Sequence, residues 1–555
     1  MYKIILSKTV FFFLFFCSSC SLNLYELPPD IGGVGIKKDN SAVIEELKKI
    51  PKLEIKKSDS NDNRLVRRDL QKHIDEDWES GREYIGKLDI NPYASDEKDN
   101  DGLLMRPEKL SRYPGIPAFS PKAYSDMMPG HKLSFIHLSD VQLHDERVYM
   151  FSKELTAFFD KFVQSFTHKP NMVLYDHSYY LTLIGTINVL CDKLEREEKL
   201  RPAFMMHTGD SIDAGVVSEL YEFVYITNRL RIPWYNVIGN HDYPVYGNVD
   251  SKEIGVIRPD MGFQTVNSRH NFINMHGRGF DVDHLVYFSP DNAPHDKTRL
   301  KKSIFNGFDF VHGLPEQDMN ERENDPCKDC PGYYYFEALR PQNNEPGILC
   351  IVLDTTTKDF KMAKGTVYRH KETDGIPNEG KKYEQINWLK NVLETYQQHG
   401  KWMAFVFGHH PLDDFFDDSN KELFEFFHTP EYNIIAYFCG HTHKHSIRYY
   451  ENQKAPGTFG FWEITADSIF EYPKRGSLVN IFYTGNGKWE IRNRGFWPYF
   501  LNQADRDAPE LLVKAKKCFD ASMEDEEGRK LVKRFEKLDQ IHHDVVLDFV
   551  YPKTK

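Results

Sequence analysis

This chain of 555 residues is short of three things: positive charge, cysteine and long apolar runs. Lys and Arg number 71 against 83 Asp and Glu, for a formal net charge of -12. A polyanionic partner normally requires a basic face, so nucleic acid is not the partner to expect. A small phosphate ester held through metal ions is not excluded by that balance. Past the first twenty or so residues no stretch approaches the roughly 20 consecutive apolar positions that a membrane-spanning helix needs. The body of the protein is therefore not expected to cross a bilayer. Of eight cysteines, Cys191, Cys350 and Cys439 lie in apolar patterns and read as buried thiols, whereas Cys518 sits in a charged tail. Cys327 and Cys330 form a CxxC in a polar stretch. A structural zinc would need a second such pair, so in an exported protein an oxidised staple is the expectation.

The N-terminus looks like a targeting segment. Lys3 and Lys8 precede the apolar run Val10 to Cys17, which is too short to span a membrane, and Ser18, Ser19 and Cys20 follow. This resembles a bacterial lipoprotein signal peptide, with Cys17 standing where such leaders usually carry Leu. The resemblance implies removal of residues 1–20, a lipid on Cys20, and export with anchorage to a bacterial membrane, in the periplasm or at the cell surface.

The remainder is too long for one ordinary domain, and its apolar and aromatic content suits one large core with appendages. Residues 21–130, polar and punctuated by Pro and Gly, read as a tether and an N-terminal wrap. From Leu133 strand and helix patterns alternate. Ile184, Ile187, Cys191 and Leu194 recur at helical spacing, as do Ile386, Leu389 and Leu393, and such stripes are packing faces. Ile348 to Leu353 is a buried strand pattern. Between about 243 and 346 no periodicity is clear, and a loop segment that long is usually functional. It leaves directly from Asn240-His241-Asp242, so it reads as a lid or subdomain facing substrate, with His270 and His276 within its span. Residues 495–555 read as a helical, solvated appendage after a clasp at Gly495-Phe496-Trp497-Pro498.

The chemistry is concentrated where five short apolar runs stop. Leu133 to Ser139 ends on Asp140, and Ala203 to Thr208 on Gly209-Asp210. Trp234 to Ile238 ends on Gly239-Asn240-His241-Asp242, Trp402 to Phe407 on Gly408-His409-His410, and Tyr432 to Cys439 on Gly440-His441-Thr442-His443. Ligands of open α/β sheets bind beyond the strand ends. His441 and His443, at i and i+2, leave the same side of an extended backbone about 6–7 Å apart, so each could reach a different ion of a metal pair.

In this order and combination the five blocks resemble the calcineurin-like metallophosphoesterases over about Leu133 to Asn493. The resemblance implies an α/β fold, a β-sandwich flanked by helices in four αββα layers, here with a long insert and a helical C-terminal appendage over a domain at 131–494. It also implies two metal ions held at one edge. By the same resemblance Asp210 bridges the ions, Asp140 and His443 serve the first site, and Asn240, His409 and His441 complete the second. His241 is then left to face substrate as a transition-state stabiliser or general acid. Asp213 and Asp242 are expected behind the ligands, and His410 and His445 at the rim. Phe461-Trp462-Glu463-Ile464, Ser468 and Pro473 resemble the sheet-completing segment of extracytoplasmic members.

Residue chemistry supports the same reading. Hydrolysis of a phosphate ester requires a nucleophile at neutral pH and neutralisation of the phosphoryl oxygens, and a pair of cations supplies both. Mixed oxygen and imidazole donors suit manganese, iron or zinc. One position departs from the family pattern, Asp-x-His, since the chain has Asp140-Val141-Gln142. Gln142, through its amide oxygen, is the expected ligand, with His144 as the alternative. Two functions of different class follow. The first is an extracytoplasmic phosphomonoesterase or phosphodiesterase. The second is a lipid-anchored binding or surface-interaction protein with a degenerate metal site.

Overall fold

The computed structural model describes residues 63–86, 130–144, 170–198, 201–213, 215, 217–242, 333–342, 344–356, 385–398, 400–415, 417–452, 460–498, 509–524 and 545–551. The leader with Cys20, the CxxC pair and most of the expected insert, His270 and His276 included, lie outside these residues.

Successive side chains of β1 (His131–Leu138) point to opposite faces, and both faces are covered. Phe135 enters one core cluster and its neighbours Ile136 and Leu138 another. Burial on both sides explains why the strands read as unbroken apolar runs rather than as alternating ones. β2 (Phe204–His207) and β3 (Trp234–Asn236) continue the first sheet in parallel, while β10 (Gly476–Gly485), β11 (Lys488–Phe496) and β12 (Val545–Val550) extend it antiparallel. Its order is β12-β11-β10-β1-β2-β3. The second sheet, of order β4-β5-β6-β7-β9-β8, is built from β4 (Tyr334–Leu339), β5 (Gly347–Val352), β6 (Trp402–Phe407), β7 (Ile434–Cys439), β8 (Ser446–Glu451) and β9 (Gly460–Thr465). β5, β6, β7 and β9 run parallel.

The sheets pack face to face through aromatic rings. Phe135 stacks on Phe204 at 5.0 Å and meets Phe438 edge-on at 5.4 Å, and Phe438 stacks on Phe407 at 5.1 Å. Helices cover the outer faces. α1 (Asn63–Gly86), α2 (Pro170–Glu198), α3 (Val217–Thr227) and α6 (Glu510–Glu524) lie on the first sheet. α4 (Gln385–Gln398) supplies the cover of the second, through Ile386, Leu389 and Leu393, with α5 (Asp417–Phe427) through Leu423 and Phe427. The result is a mixed α/β architecture of four layers, as the family resemblance implies.

Three stretches differ from the sequence expectation. A helix stands within the supposed extended wrap, and α1 sets Ile74 and Ile85 into the core with Leu183 and Leu511. β4 falls inside the segment read as an aperiodic insert, and Tyr334 to Leu339 alternates buried and half-buried positions as an edge strand should. The C-terminal stretch does form a helix, but not a solvated one. Leu511, Leu512, Ala515 and Cys518 of α6 are buried, and the later residues Val545–Val550 form a strand rather than more helix. Cys518 is thus buried like Cys191, Cys350 and Cys439.

Candidate metal centre

β1, β2 and β3 of one sheet and β6 and β7 of the other deliver their C-terminal ends to one edge of the sandwich. There the chain leaves β1, β2 and β7 in an unusual conformation. Among the described residues, nine non-glycine residues have positive φ, and five of them are Asp140, Gln142, Asp210, His441 and His443. L-residues adopt the left-handed region reluctantly, and such strain concentrates at functional sites. The turns are locked to one another through the backbone. Asp140 N–H donates to the Gly209 carbonyl at 3.0 Å and Gln142 N–H to that of Asp210 at 2.9 Å, while Gly440 N–H donates to His409 at 2.9 Å.

The two acids sit at the crossings of these loops. The His441 backbone N–H donates to both carboxylate oxygens of Asp140, at 3.0 and 3.2 Å, and the His241 N–H donates to Asp210 Oδ1 at 2.8 Å. Asp210 Oδ2 lies 3.2 Å from His409 Nε2, which is itself 3.1 Å from Asn240 Oδ1. His409 Nδ1 is held 2.8 Å from the Thr208 carbonyl, so its Nε2 is the nitrogen turned to the site. His443 Nε2 stands 3.4 Å from Asp140 Oδ1, and its Nδ1 stands 3.0 Å from Glu471 Oε2. Carboxylate or ring-nitrogen atoms of Asp140, Asp210 and His409 all lie within 4.8 Å of one another, as do ring nitrogens of His409, His410 and His441. Every expected ligand is therefore in one cluster or in contact with it.

Buried charge ties the acids and imidazoles of the cluster to one another. Burial pushes the Asp210 carboxyl up, but the imidazoles of His409, His241 and His441 more than reverse this and hold it well below the usual carboxylate range. Burial works against a charged His409, yet Asp210 raises it to about 9. For His443 too, burial is outweighed by Glu471 and Asp140, which hold it well above the ordinary histidine value. Burial and His409 push His441 down to about 3. Two buried carboxylates are thus balanced by protons held on two imidazoles, and a cation bound between them would displace those protons.

The remaining expected residues divide. Gln142 Nε2 reaches Asp210 Oδ2 at 3.5 Å, so its amide head is at the site, and a half-turn of the amide would present Oε1 there instead. His144 is engaged elsewhere. Its Nδ1 and backbone N–H both meet Asp176 Oδ2, at 2.8 and 3.0 Å, and its Nε2 is 3.5 Å from Asp213 Oδ2. Asp213 Oδ1 in turn lies 3.2 Å from His241 Nδ1. Asp242 staples loops, accepting from Gly239 at 2.8 Å and Ser211 at 2.7 Å. His410 is fully buried rather than at a rim, its ring 4.4 Å from that of His441. Its Nδ1 meets Thr355 Oγ1 at 2.9 Å, and Nε2 has no hydrogen-bond partner among the described residues. His445 is half-buried, its backbone N–H donating to Asp467. Glu471, Asp176 and Thr355 carry no sequence signal of their own and emerge only from the fold.

Residues 133–350 match the family model of the calcineurin-like phosphoesterases. No curated protein matches the chain. The family match covers Asp140, Asp210, Asn240 and His241, and the fold brings His409, His441 and His443 to the same place. Metal-dependent phosphoester hydrolysis is the activity this match supports, and the His/Asp cluster gives it a site.

Proposed function

We propose that this chain is a phosphoesterase working with two metal ions outside the cytoplasm, held to a bacterial membrane by a lipid on Cys20. The observation that carries the reading is the place of Asp210, whose carboxylate is shared between the His409/Asn240 side and the Asp140 side of one buried cluster. On this reading Asp140, Gln142 and His443 would hold one ion and Asn240, His409 and His441 the other, and Asp210 would serve both. The donor set, carboxylate and amide oxygens with imidazole nitrogens, fits manganese, iron or zinc. When bound, such a pair supplies a water of lowered pKa and neutralises charge on the phosphoryl oxygens.

The chain's own residues do the rest. Asp213 holds His241 Nδ1, which leaves Nε2 to carry a proton toward the leaving oxygen of the ester. The turn at Asn240-His241 is fixed because Asp210 accepts the His241 N–H and Asp242 accepts the Gly239 N–H. Asp176 and Asp213 face the two ring nitrogens of His144, at 2.8 and 3.5 Å, which favours Gln142 over His144 at the first ion. Gln142 supports the ligand role in its place, as a neutral and harder donor.

Protein purified without chelators is the test. Metal analysis should find close to two ions per chain, with turnover of aryl phosphate monoesters or diesters abolished by Asp210→Ala. Metal-free protein that turns over no ester with any added metal would instead favour the lipid-anchored binding protein with a degenerate site. Anchorage is tested separately, by fatty-acid labelling of the full chain and its loss in Cys20→Ser.

A further inference from the structure

A chain of buried polar groups runs from the candidate metal centre outward to the helical layer, and its members beyond Asp213 have no part in holding metal. His241 Nδ1 lies 3.2 Å from Asp213 Oδ1, and Asp213 Oδ2 lies 3.5 Å from His144 Nε2. His144 Nδ1 lies 2.8 Å from Asp176 Oδ2 on α2. Asp176 is fixed in turn, since its Oδ1 accepts the His177 backbone N–H at 2.6 Å. The His177 ring stands 3.7 Å from Asp77 of α1, which Lys514 of α6 holds at 3.0 Å. The ring of His144 is also packed against Phe470 at 4.5 Å.

We propose that His144 and Asp176 are positioning residues for His241. They act through Asp213, setting the direction in which His241 Nε2 presents its proton to the leaving group.

The argument is one of degrees of freedom. Asp213 sits in a loop beyond β2, and a carboxylate held on one side only can swing about χ1 and χ2. Here one oxygen faces His241 and the other faces His144. His144 cannot follow a swing, because Asp176 grips both its ring and its backbone N–H, and Asp176 belongs to a helix of 29 residues packed in the core. A histidine two places past the expected ligand position has thus become part of the support for the proton donor. Positioning of this kind matters most when the leaving group is poor. A p-nitrophenolate departs with little help, whereas a phenolate or alkoxide must receive its proton as the P–O bond breaks.

The inference rests on the phosphoesterase reading, and the experiment separates the two. Turnover of p-nitrophenyl, phenyl and alkyl phosphates is measured for the wild type, His144→Ala, Asp176→Ala and His241→Ala, and for the double variant of His144 and His241, each with metal content and melting temperature. Correct proton transfer is worth about a hundredfold or more in rate. The two support variants should therefore lose at least about tenfold more kcat on the phenyl and alkyl esters than on the p-nitrophenyl ester, with KM and metal content held. In the His241→Ala background, His144→Ala should cost no further activity, because the group it positions is gone. Equal losses on all esters, or losses that multiply in the double variant, would overturn the inference and leave the phosphoesterase reading standing. A wild type that hydrolyses none of the esters would overturn that reading itself. Should His144→Ala fail to fold, Asp176→Ala carries the same leaving-group comparison.

Discussion

Gly239→Ala should cripple the site while leaving the fold in place, and the size of the effect follows from one contact. A methyl group built on Gly239 would meet Asp210 Oδ1 at 2.1 Å and the Asp210 backbone nitrogen at 2.3 Å. Ordinary contact begins near 3.4 Å, so the two loops must part by 3.4 − 2.3, or about 1.1 Å. The φ of Gly239 is not in the left-handed region, so the cost is steric and not one of backbone conformation. Overpacking of this kind costs about 1–3 kcal/mol, a loss a sandwich with three large clusters should survive. A displacement near 1 Å between Asp210 and the Asn240-His241 turn should lower turnover about a hundredfold. The assay is kcat on an aryl phosphate with metal stoichiometry and a thermal melt, beside Gly485→Ala as control. At Gly485 φ is +97° but no atom lies within 4 Å of the added carbon, so that variant should lose stability but neither metal nor turnover. Wild-type metal content and rate in Gly239→Ala would refute the claim that these loops are in contact at the site.

Three further outcomes are expected. Glu471→Gln, which weakens the group holding His443 Nδ1, should lower metal affinity about 10–100-fold, read by competition with a chelating dye; unchanged affinity would remove Glu471 from the site. Burial pushes the Glu463 carboxyl up to about 7 from an ordinary 4.5. The folded state therefore holds a proton that the unfolded chain releases, and stability present below about pH 4.5 is lost as the pH rises through 7, by about 3 kcal/mol in all. Glu463→Gln should accordingly gain on the wild type between pH 5.5 and 8 in denaturant melts, and a constant difference would contradict this. Leu511→Ala should cost about 2–5 kcal/mol, since Leu511 is fully buried in the same core cluster as Ile74 and Ile85 of α1, and a negligible effect would restore the C-terminal stretch to a loose appendage.

What was legible in the sequence follows physical lines. Strands covered on both faces show as unbroken apolar runs, so β1, β2, β6 and β7 could be seen, and a ligand-type residue after each marked the edge where they end. Helices with wide apolar faces, such as α2, were equally plain. α6 was legible as a helix but not as a buried one, because Leu511, Leu512, Ala515 and Cys518 make a narrow stripe among Lys514, Lys516 and Lys517. α1 hid for the same reason, with Ile74 and Ile85 as buried apolar residues in a charged helix. The expected ligands are brought together, but the engagement of His144 by Asp176 was hidden, because Asp176 is distant in sequence and sits on a helix with nothing to mark it. His410 shows the converse. Adjacent to a ligand and polar, it reads as a rim residue, yet the turn after β6 carries it into the interior against Thr355.

The most direct test is a crystal of the protein grown with manganese and measured at wavelengths on either side of the manganese absorption edge. Two anomalous peaks roughly 3.5–4 Å apart are expected. Asp210 should lie between them, with Asp140, Gln142 and His443 around one and Asn240, His409 and His441 around the other. A single peak, or peaks away from Asp210, would contradict the account.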